Sequence, residues 1–267
     1  MATPHQFTGS IPEHYDRYLV PVMFTPYAES MAARVADLKP KRVLELACGT
    51  GALTRCLVRA LPAQTQIVAT DFSPDMLEVA KMKLASGSSV NWRVADACDL
   101  PFEDESFDVI VCQFGVMMFP DKAVAMSEAL RVLAPGGHLF TSAWGHLEDN
   151  STFHTVETTL TAMFPDAGEP FVQVPISMPD PETHRQLAMN AGFSSVEAAM
   201  ETHRTGPHNP TDFAFGYTQG SPLVAFLTSQ GYDLETIQVT LTEACIANMG
   251  NPMYCELSAV VCHAVKG

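Results

Sequence analysis

The chain has 267 residues and a hydrophobic fraction of 47%, which is enough for a full core and argues against disorder. Its formal net charge of -15 provides no basic surface for nucleic acid or anionic membrane, and we attribute the acidity to solubility. The longest apolar run, 109–119, is too short to span a bilayer, and residues 1–16 lack the pattern of a signal peptide.

Strands and helices are predicted to alternate along the first half of the chain. Residues 11–38 are typical of one or two helices, with Pro21 and Pro26 interrupting the pattern. Strands are predicted at 42–47, 66–71, 90–95, 107–114 and 138–144, and helices at 51–61, 73–86 and 122–134. Ser73 as N-cap and Pro74 at the first helical position mark one helix start, and the Pro-Gly-Gly at 135–137 is expected to end a helix.

The second half is less regular. Helices are predicted at 151–164, 179–193 (closed by Gly192), 209–229 and 233–248, and strands near 195–203 and at 256–266. The whole pattern predicts an α/β fold, a Rossmann-like, seven-stranded, mostly parallel sheet with helices on both faces. N-terminal helices and a helical lid insertion are expected to accompany the sheet.

The seven cysteines lie scattered, without a Cys-x-x-Cys pair. Several occupy apolar segments, so we interpret them as reduced core thiols of a cytoplasmic protein. Neither a metal site nor a disulfide framework is predicted from this spacing.

The stretch VLELACGTGALT, residues 43–54, has the pattern of a buried strand, a glycine turn and a helix. Glycines let a ligand approach the backbone, and the helix start presents free N–H groups that suit a phosphate or carboxylate. A P-loop would require Gly-Lys-Ser/Thr, which is missing here. The dinucleotide fingerprint requires a third glycine where Thr54 stands, so an NAD-dependent oxidoreductase is disfavoured.

Two acidic residues make the signal more specific. Asp71 ends the second predicted strand 20 residues after Gly51, the spacing of a carboxylate that binds ribose hydroxyls. Glu45 lies inside the first strand, where a carboxylate is costly unless it is paired. A cationic ligand or a hydrogen-bond network would explain Glu45. The alternatives are a turn or capping role for Asp71 and a structural salt bridge for Glu45.

In these motifs the sequence resembles the class I S-adenosylmethionine-dependent methyltransferases, near the small-molecule branch that includes quinone-biosynthesis enzymes. The resemblance covers about residues 41–145 through VLELACGTG, TDFSPDML, VADACDLPFEDESFDVIVCQFGVMMFPD and RVLAPGGHLF. It implies S-adenosyl-L-methionine as cofactor, S-adenosyl-L-homocysteine as product and a small-molecule methyl acceptor as partner. It also implies an N-terminal helical cover at 1–40 and a methyltransferase domain at 41–267, with lid insertions within about 145–250.

The resemblance assigns cofactor contacts to four groups of residues. The methionine part would contact Glu45, Ala47, Cys48, Gly49 and Gly51, and Asp71 would hold the ribose. Phe72, Met76, Asp96 and Ala97 would surround the adenine, and Gln113, Phe114 and Gly115 would lie beside the sulfonium. Tyr15 and Tyr18 would close over the methionine end. Ala47 departs from the glycine that is frequent in the family, and we expect a small effect because alanine permits a strand conformation. Asp96 could instead cap a turn.

The acceptor side is less defined by the sequence. His154 and then His146 are the candidate bases, since they follow the fifth strand at the edge where α/β sheets bind ligands. Aromatic residues in the lid region favour an apolar or aromatic acceptor. No nucleic-acid partner or membrane span is predicted, and a homodimer is compatible with the sequence. A non-catalytic protein that binds the cofactor as a scaffold or regulator remains an alternative.

Overall fold

A computed structural model describes residues 7–84, 90–166 and 171–267 of the chain. The sheet has the order β3-β2-β1-β4-β5-β7-β6, and its strands β1 to β5 are parallel. β7 runs antiparallel to both of its neighbours. The strands are β1 Arg42–Glu45, β2 Gln66–Asp71, β3 Val90–Val94, β4 Phe107–Gln113, β5 Leu133–Trp144, β6 Ser195–His208 and β7 Met253–Val265. The predicted seven-stranded, mostly parallel sheet is confirmed.

Helices cover both faces of this sheet. The α-helices are α1 Ile11–His14, α2 Thr25–Asp37, α3 Ala52–Ala60, α4 Pro74–Lys83, α5 Lys122–Val132, α6 Ser151–Met163, α7 Pro181–Ala191, α8 Pro210–Gln219, α9 Leu223–Ser229 and α10 Leu234–Met249. A π-helical segment, Tyr15–Phe24, joins α1 to α2, and short 3₁₀ turns follow β4 and β5. None of the helices in the described ranges is both long and apolar enough to cross a membrane.

Alternating side chains explain how the sheet holds its two helical layers. Val43 and Val109 pack with α2 and α3 on one face, whereas Leu44 and Ile110 pack with α5 and α7 on the other. Successive side chains of a strand point to opposite faces, so strands that are buried on both sides read as continuous apolar runs. All seven cysteines are free and six are buried, as the sequence indicated.

Helix starts and stops that depend on local chemistry agree with the sequence. The Ser73 hydroxyl accepts the Met76 N–H at 3.3 Å, with Pro74 in the first turn of α4. Gly192 ends α7 with a left-handed φ of 107°. The last two residues of the predicted helix 73–86 lie outside the described residues, as do residues 1–6 of the predicted N-terminal cover.

Three boundaries differ from the prediction. Pro21 does not interrupt the N-terminal helical region, because it lies within the π-helical segment, where the Thr25 N–H bonds the Val20 carbonyl. Strand β5 begins at Leu133 and runs through the Pro-Gly-Gly, since the Gly136 N–H pairs with the Lys266 carbonyl at 2.9 Å. The predicted helix 209–229 is two helices, α8 and α9, which are separated by residues 220–222.

A pair of histidines makes the stability of the sheet sensitive to pH. His138 Nδ1 on β5 lies 2.9 Å from His263 Nε2 on β7. Burial lowers the pKa of His138, and burial and then the His138 charge lower the pKa of His263. Glu197 opposes the second shift and Arg34 adds to it. The folded state therefore binds protons less well than the unfolded chain, and stability falls as pH drops below the unfolded pKa of about 6.5.

We predict that His138→Asn makes this loss of stability shallower. The free energy of unfolding in urea, measured between about pH 7 and about pH 5.5, should fall less in the variant than in the wild type. His154→Asn, which changes an exposed histidine of α6, is the control and should keep the wild-type slope. Equal slopes in the wild type and His138→Asn would refute the assignment.

Candidate functional site

The glycine turn after β1 is a loop of left-handed residues. The φ angles of Ala47, Gly49 and Gly51 are 50°, 55° and 79°. The expectation that Ala47 keeps a strand conformation is therefore wrong, because this residue lies in a region that costs a non-glycine residue about 1–2 kcal/mol. The positive φ of Gly51 favours glycine, and a Cβ there would also be tightly placed, 3.1 Å from the Ala80 Cβ.

Glu45 is buried at the end of β1, with 2% of its surface exposed. Its Oε2 accepts the Thr54 hydroxyl at 2.6 Å. Burial raises the pKa of Glu45 to about 8, opposed by the Thr54 hydrogen bond and the Arg55 charge and increased by Asp71. Thr54 occupies the position of the missing third glycine, and sequence reasoning used it only to exclude a dinucleotide. Of the explanations considered for Glu45, the structure shows one hydrogen bond, from Thr54.

Asp71 joins the ends of two neighbouring strands. Its Oδ2 accepts the Gly49 N–H at 2.7 Å, and its Oδ1 accepts the Ser73 N–H at 2.8 Å. Burial raises the pKa of Asp71, and these backbone hydrogen bonds oppose the shift. The carboxylate therefore shapes the glycine loop and caps its own turn, so the turn role left open in the sequence is part of its function.

The residues predicted around the adenine lie beyond β2 and β3. Phe72 leaves 44% of its surface exposed, an unusual amount for an aromatic residue, while Met76 is buried. Asp96 Oδ1 accepts the Cys98 N–H at 2.8 Å, so Asp96 does cap a turn, and the neighbouring Ala97 is buried. An exposed ring beside a carboxylate is a suitable surface for a flat heterocycle.

The end of β4 lies against an aromatic cluster. Phe114 adopts a φ of 55° and stacks on Trp144 with ring centroids 3.9 Å apart. Phe24 makes edge contacts with both rings, at 5.4 and 5.5 Å. A Cβ on Gly115 would lie 2.6 Å from the Ala47 Cβ, so this glycine brings the β4 turn against the glycine loop.

The N-terminal segment, residues 7–24, lies over these loops. The Phe7 carbonyl accepts the Ser73 hydroxyl at 2.9 Å, and the Gly9 N–H donates to Asp75 at 3.0 Å. Burial raises the pKa of Tyr15 above its usual value, with smaller contributions from Asp16 and Asp71. The Tyr15 hydroxyl is thus close enough to Asp71 for that carboxylate to affect its pKa. Tyr18 instead contacts Phe215 of α8, with centroids 5.1 Å apart.

Two buried polar atoms of the site lack a hydrogen-bond partner and fit a polar ligand. Thr50 Oγ1 and Gln113 Oε1 are buried and have no hydrogen-bond partner within the described part of the chain. The Gln113 amide N–H₂ donates to the Phe24 carbonyl at 3.2 Å, so only its oxygen is free. Buried polar atoms are almost always paired in native proteins. Thr50 lies in the loop that the resemblance assigns to the methionine part of the cofactor, and Gln113 ends β4 beside the expected position of the sulfonium. A free hydroxyl and a free amide oxygen fit the polar groups of that part of the cofactor.

The two candidate bases lie apart from this network. His146 and His154 are both exposed, and His146 Nε2 lies 3.3 Å from Asp180. A cavity of about 200 Å³ also lies elsewhere, at the opposite edge of the sheet, where Asp108 and His138 contribute to its lining. We do not assign it to the cofactor because none of the loop residues lines it.

Sequence reasoning missed several residues that complete the site. Asp16 and Arg55 form an ion pair at 3.0 Å between the N-terminal segment and α3. Trp144 was noted only as a strand end, and Phe24 was not singled out. A buried acid next to Tyr15 carries no local sequence signal, since its partner lies 39 residues away along the chain.

The comparisons with known proteins agree with this geometry. A family model described as "Methyltransferase domain" matches residues 44–141. Residues 44–141 are therefore similar to that methyltransferase domain family. S-adenosyl-L-methionine is the cofactor of this family, in agreement with the sequence resemblance. The match contains the glycine loop, Asp71, Asp96 and the end of β4, and it stops before the lid region.

Individual methyltransferases are similar over different lengths. The demethylmenaquinone methyltransferase of Staphylococcus aureus (strain MRSA252) is 38% identical over 136 residues, which are 50% of this chain and 56% of the relative. The chain thus matches little more than half the length of this curated relative. Among solved structures, phosphoethanolamine N-methyltransferase 2 of Haemonchus contortus, in complex with phosphomonomethylethanolamine and S-adenosylhomocysteine, has a TM-score of 0.61 at 18% identity, covering 100% of this chain and 60% of that one. A possible histamine N-methyltransferase of Thermotoga maritima has a TM-score of 0.58 at 19% identity, covering 99% and 100%. These two likenesses show the fold.

We predict that Asp71→Asn weakens cofactor binding by about 2–3 kcal/mol, because a charge-assisted pair of ribose hydrogen bonds is lost. One buried N–H also loses its acceptor, so the free energy of unfolding should fall by about 1–3 kcal/mol. Calorimetry with S-adenosylhomocysteine and urea unfolding of the ligand-free protein measure the two effects. Asp108→Asn is the matched control, since Asp108 accepts the Lys41 and Arg42 N–H groups at the opposite edge. Unchanged affinity with lower stability would show a purely structural Asp71.

We also predict that binding of S-adenosylmethionine releases a proton from Glu45. With a pKa of about 8, this carboxyl is largely protonated near neutral pH, and a cationic ligand favours its ionised form. Affinity should therefore rise as pH increases towards about 8. Calorimetry in two buffers of different ionisation enthalpy measures the released proton. Equal release in Glu45→Gln would contradict the assignment.

Proposed function

We propose that this chain is an S-adenosylmethionine-dependent methyltransferase (EC 2.1.1.-) that acts on a small, apolar or aromatic acceptor. The observation that carries the proposal is the glycine loop, with its left-handed residues, between the buried Glu45 and the partly buried Asp71. The buried Thr50 hydroxyl, which has no partner in the described part of the chain, lies in the same loop. Carboxylates beside a buried hydroxyl that has no partner suit a ligand with an ammonium and a ribose.

The cofactor contacts in this proposal are those assigned by the sequence, with Thr50 added. Glu45 and the turn Ala47–Gly51 would hold the methionine part, and Thr50 would add its hydroxyl to that group. Asp71 would accept the ribose hydroxyls through the lone pairs that its backbone partners leave available. Phe72 would cover one side of the adenine, and Gln113 would add its free oxygen beside the sulfonium.

The acceptor would lie between the ends of β4 and β5 and a cover made from the N-terminal segment and the lid helices. The cluster of Phe24, Phe114 and Trp144 supports this position, as it lies where those strand ends meet the N-terminal segment. α8 packs on the π-helical segment and α10 packs on both α6 and α8, so the lid helices and the N-terminal segment form one continuous layer. The similarity to a demethylmenaquinone methyltransferase also favours an apolar acceptor.

When bound, the cofactor supplies an activated methyl group, and the work of the chain is to position the acceptor and exclude water. The aromatic cluster can orient a flat ring, and its burial keeps the site dry. His146 and His154 are exposed, so this proposal gives neither of them the role of base. Positioning alone would suffice for an acceptor that has already lost its proton.

The test is incubation with labelled S-adenosylmethionine and a panel of hydroquinones, phenols and amines. We predict that label passes to a hydroquinone or phenol in preference to the amines, because the candidate acceptor walls are aromatic. His154→Ala should retain wild-type turnover, and a large fall with unchanged cofactor affinity would restore it as a base. Cofactor binding with no transfer to any acceptor would instead support a scaffold or regulator.

A further inference from the structure

The N-terminal segment carries a buried carboxylate, Asp16, that pairs with two cations. Asp16 in the π-helical segment leaves 6% of its surface exposed. Its two oxygens contact two different helices, Arg55 Nη2 of α3 at 3.0 Å and Lys83 Nζ of α4 at 3.2 Å. A buried carboxylate is costly unless it is paired, so the position of the segment depends on these two cations.

Arg55 has a second partner in the glycine loop. Its Nη1 donates to the Thr50 carbonyl at 2.7 Å, while Nη2 donates to Asp16. One planar guanidinium therefore bonds the segment and the loop at the same time, and movement of either changes the geometry available to the other. Thr50 is also the loop residue whose buried hydroxyl has no partner in the described ranges.

The rest of the segment is held by its hydrogen bonds to Ser73 and Asp75 and by packing. Gly216 of α8 lies against Tyr18. Gly220, which follows α8, lies against Tyr15, and a Cβ on Gly220 would be 2.6 Å from the Tyr15 backbone nitrogen. Tyr15 also packs on Phe24, with ring centroids 5.1 Å apart. The contacts with Gly216 and Gly220 hold the segment against the lid helices, and they do not involve the glycine loop. The segment is connected to the glycine loop through Arg55, which bonds Asp16 of the segment and Thr50 of the loop.

We infer that Asp16 is a positioning residue which, through Arg55, couples closure of the N-terminal segment to occupation of the glycine loop. The inference rests on the proposed function, because it requires the loop to bind a cofactor. A ligand that fixes the Thr50 backbone also fixes Arg55 and so favours the seated position of Asp16. By linkage, seating the segment strengthens ligand binding by the same factor.

The first measurement uses the wild-type chain with S-adenosylhomocysteine as the probe. Amide hydrogen exchange of peptides from residues 11–24 should slow when the ligand is added, because closure protects the helical N–H groups. Asp16→Asn should weaken S-adenosylhomocysteine binding about tenfold, a factor typical of coupled sites. In that variant, bound ligand should no longer slow exchange in the segment.

Glu13→Gln is the matched control, since it removes one negative charge from an exposed position of the same segment. It should keep wild-type affinity and protection. Arg55→Gln should weaken binding, and adding Asp16→Asn to it should cause no further loss, because Asp16 acts through Arg55. Additive losses would overturn the proposed route.

The outcomes separate this inference from the function on which it rests. Failure of the wild type to bind S-adenosylhomocysteine would overturn both. Binding by the wild type with unchanged exchange in residues 11–24, or wild-type affinity in Asp16→Asn, would overturn only the coupling. If Asp16→Asn does not fold, the exchange measurement on the wild type decides alone.

Discussion

The hydrogen bond between the Asp71 carboxylate and the Gly49 N–H, 2.7 Å long, is the contact on which the site depends. β1 and β2 are adjacent parallel strands, with Glu45 paired to Ala69, so the turns that follow them leave the same edge of the sheet. A single side chain at the end of β2 can therefore hold both turns. The same bond keeps the backbone of the glycine loop in its left-handed conformation.

Three carboxylates surround this loop, of which Glu45 and Asp16 are buried and Asp71 is partly buried, and each is satisfied differently. Thr54 donates a hydroxyl to Glu45, backbone N–H groups pair with Asp71, and two cations pair with Asp16. Only Asp16 is neutralised by opposite charge. Burial, and to a smaller extent the nearby Asp71, raises the pKa of Glu45. Carboxylates in such a place favour a ligand that carries positive charge. A sulfonium with an ammonium group meets that requirement.

The two halves of the chain divide the chemistry between them. The first half builds the loop, the Asp71 carboxylate and the β4 turn, and these are residues that the family model matches. The second half contributes the lid helices and the antiparallel strand β7. The proposed acceptor contacts depend on side chains from these elements, which lie far apart in sequence. For this reason the cofactor is better defined than the acceptor.

Local sequence patterns determined much of this protein. The apolar runs predicted the central strands, Ser73 and Gly192 predicted a helix start and a helix end, and the glycine turn with Asp71 predicted the candidate cofactor site. These features depend on φ, on capping and on burial of one residue type, all of which are encoded within a few positions.

Only the tertiary structure decided the rest, because partners that are distant in sequence determine it. The Lys266 carbonyl allows β5 to run through the Pro-Gly-Gly, and the Asp71–Gly49 bond accompanies the left-handed Ala47, whose sequence permits an ordinary strand. Thr54 becomes the partner of Glu45 because the first turn of α3 folds back over the end of β1. The burial of Asp16 likewise depends on two cations from other helices, and no pattern within the N-terminal segment could reveal them.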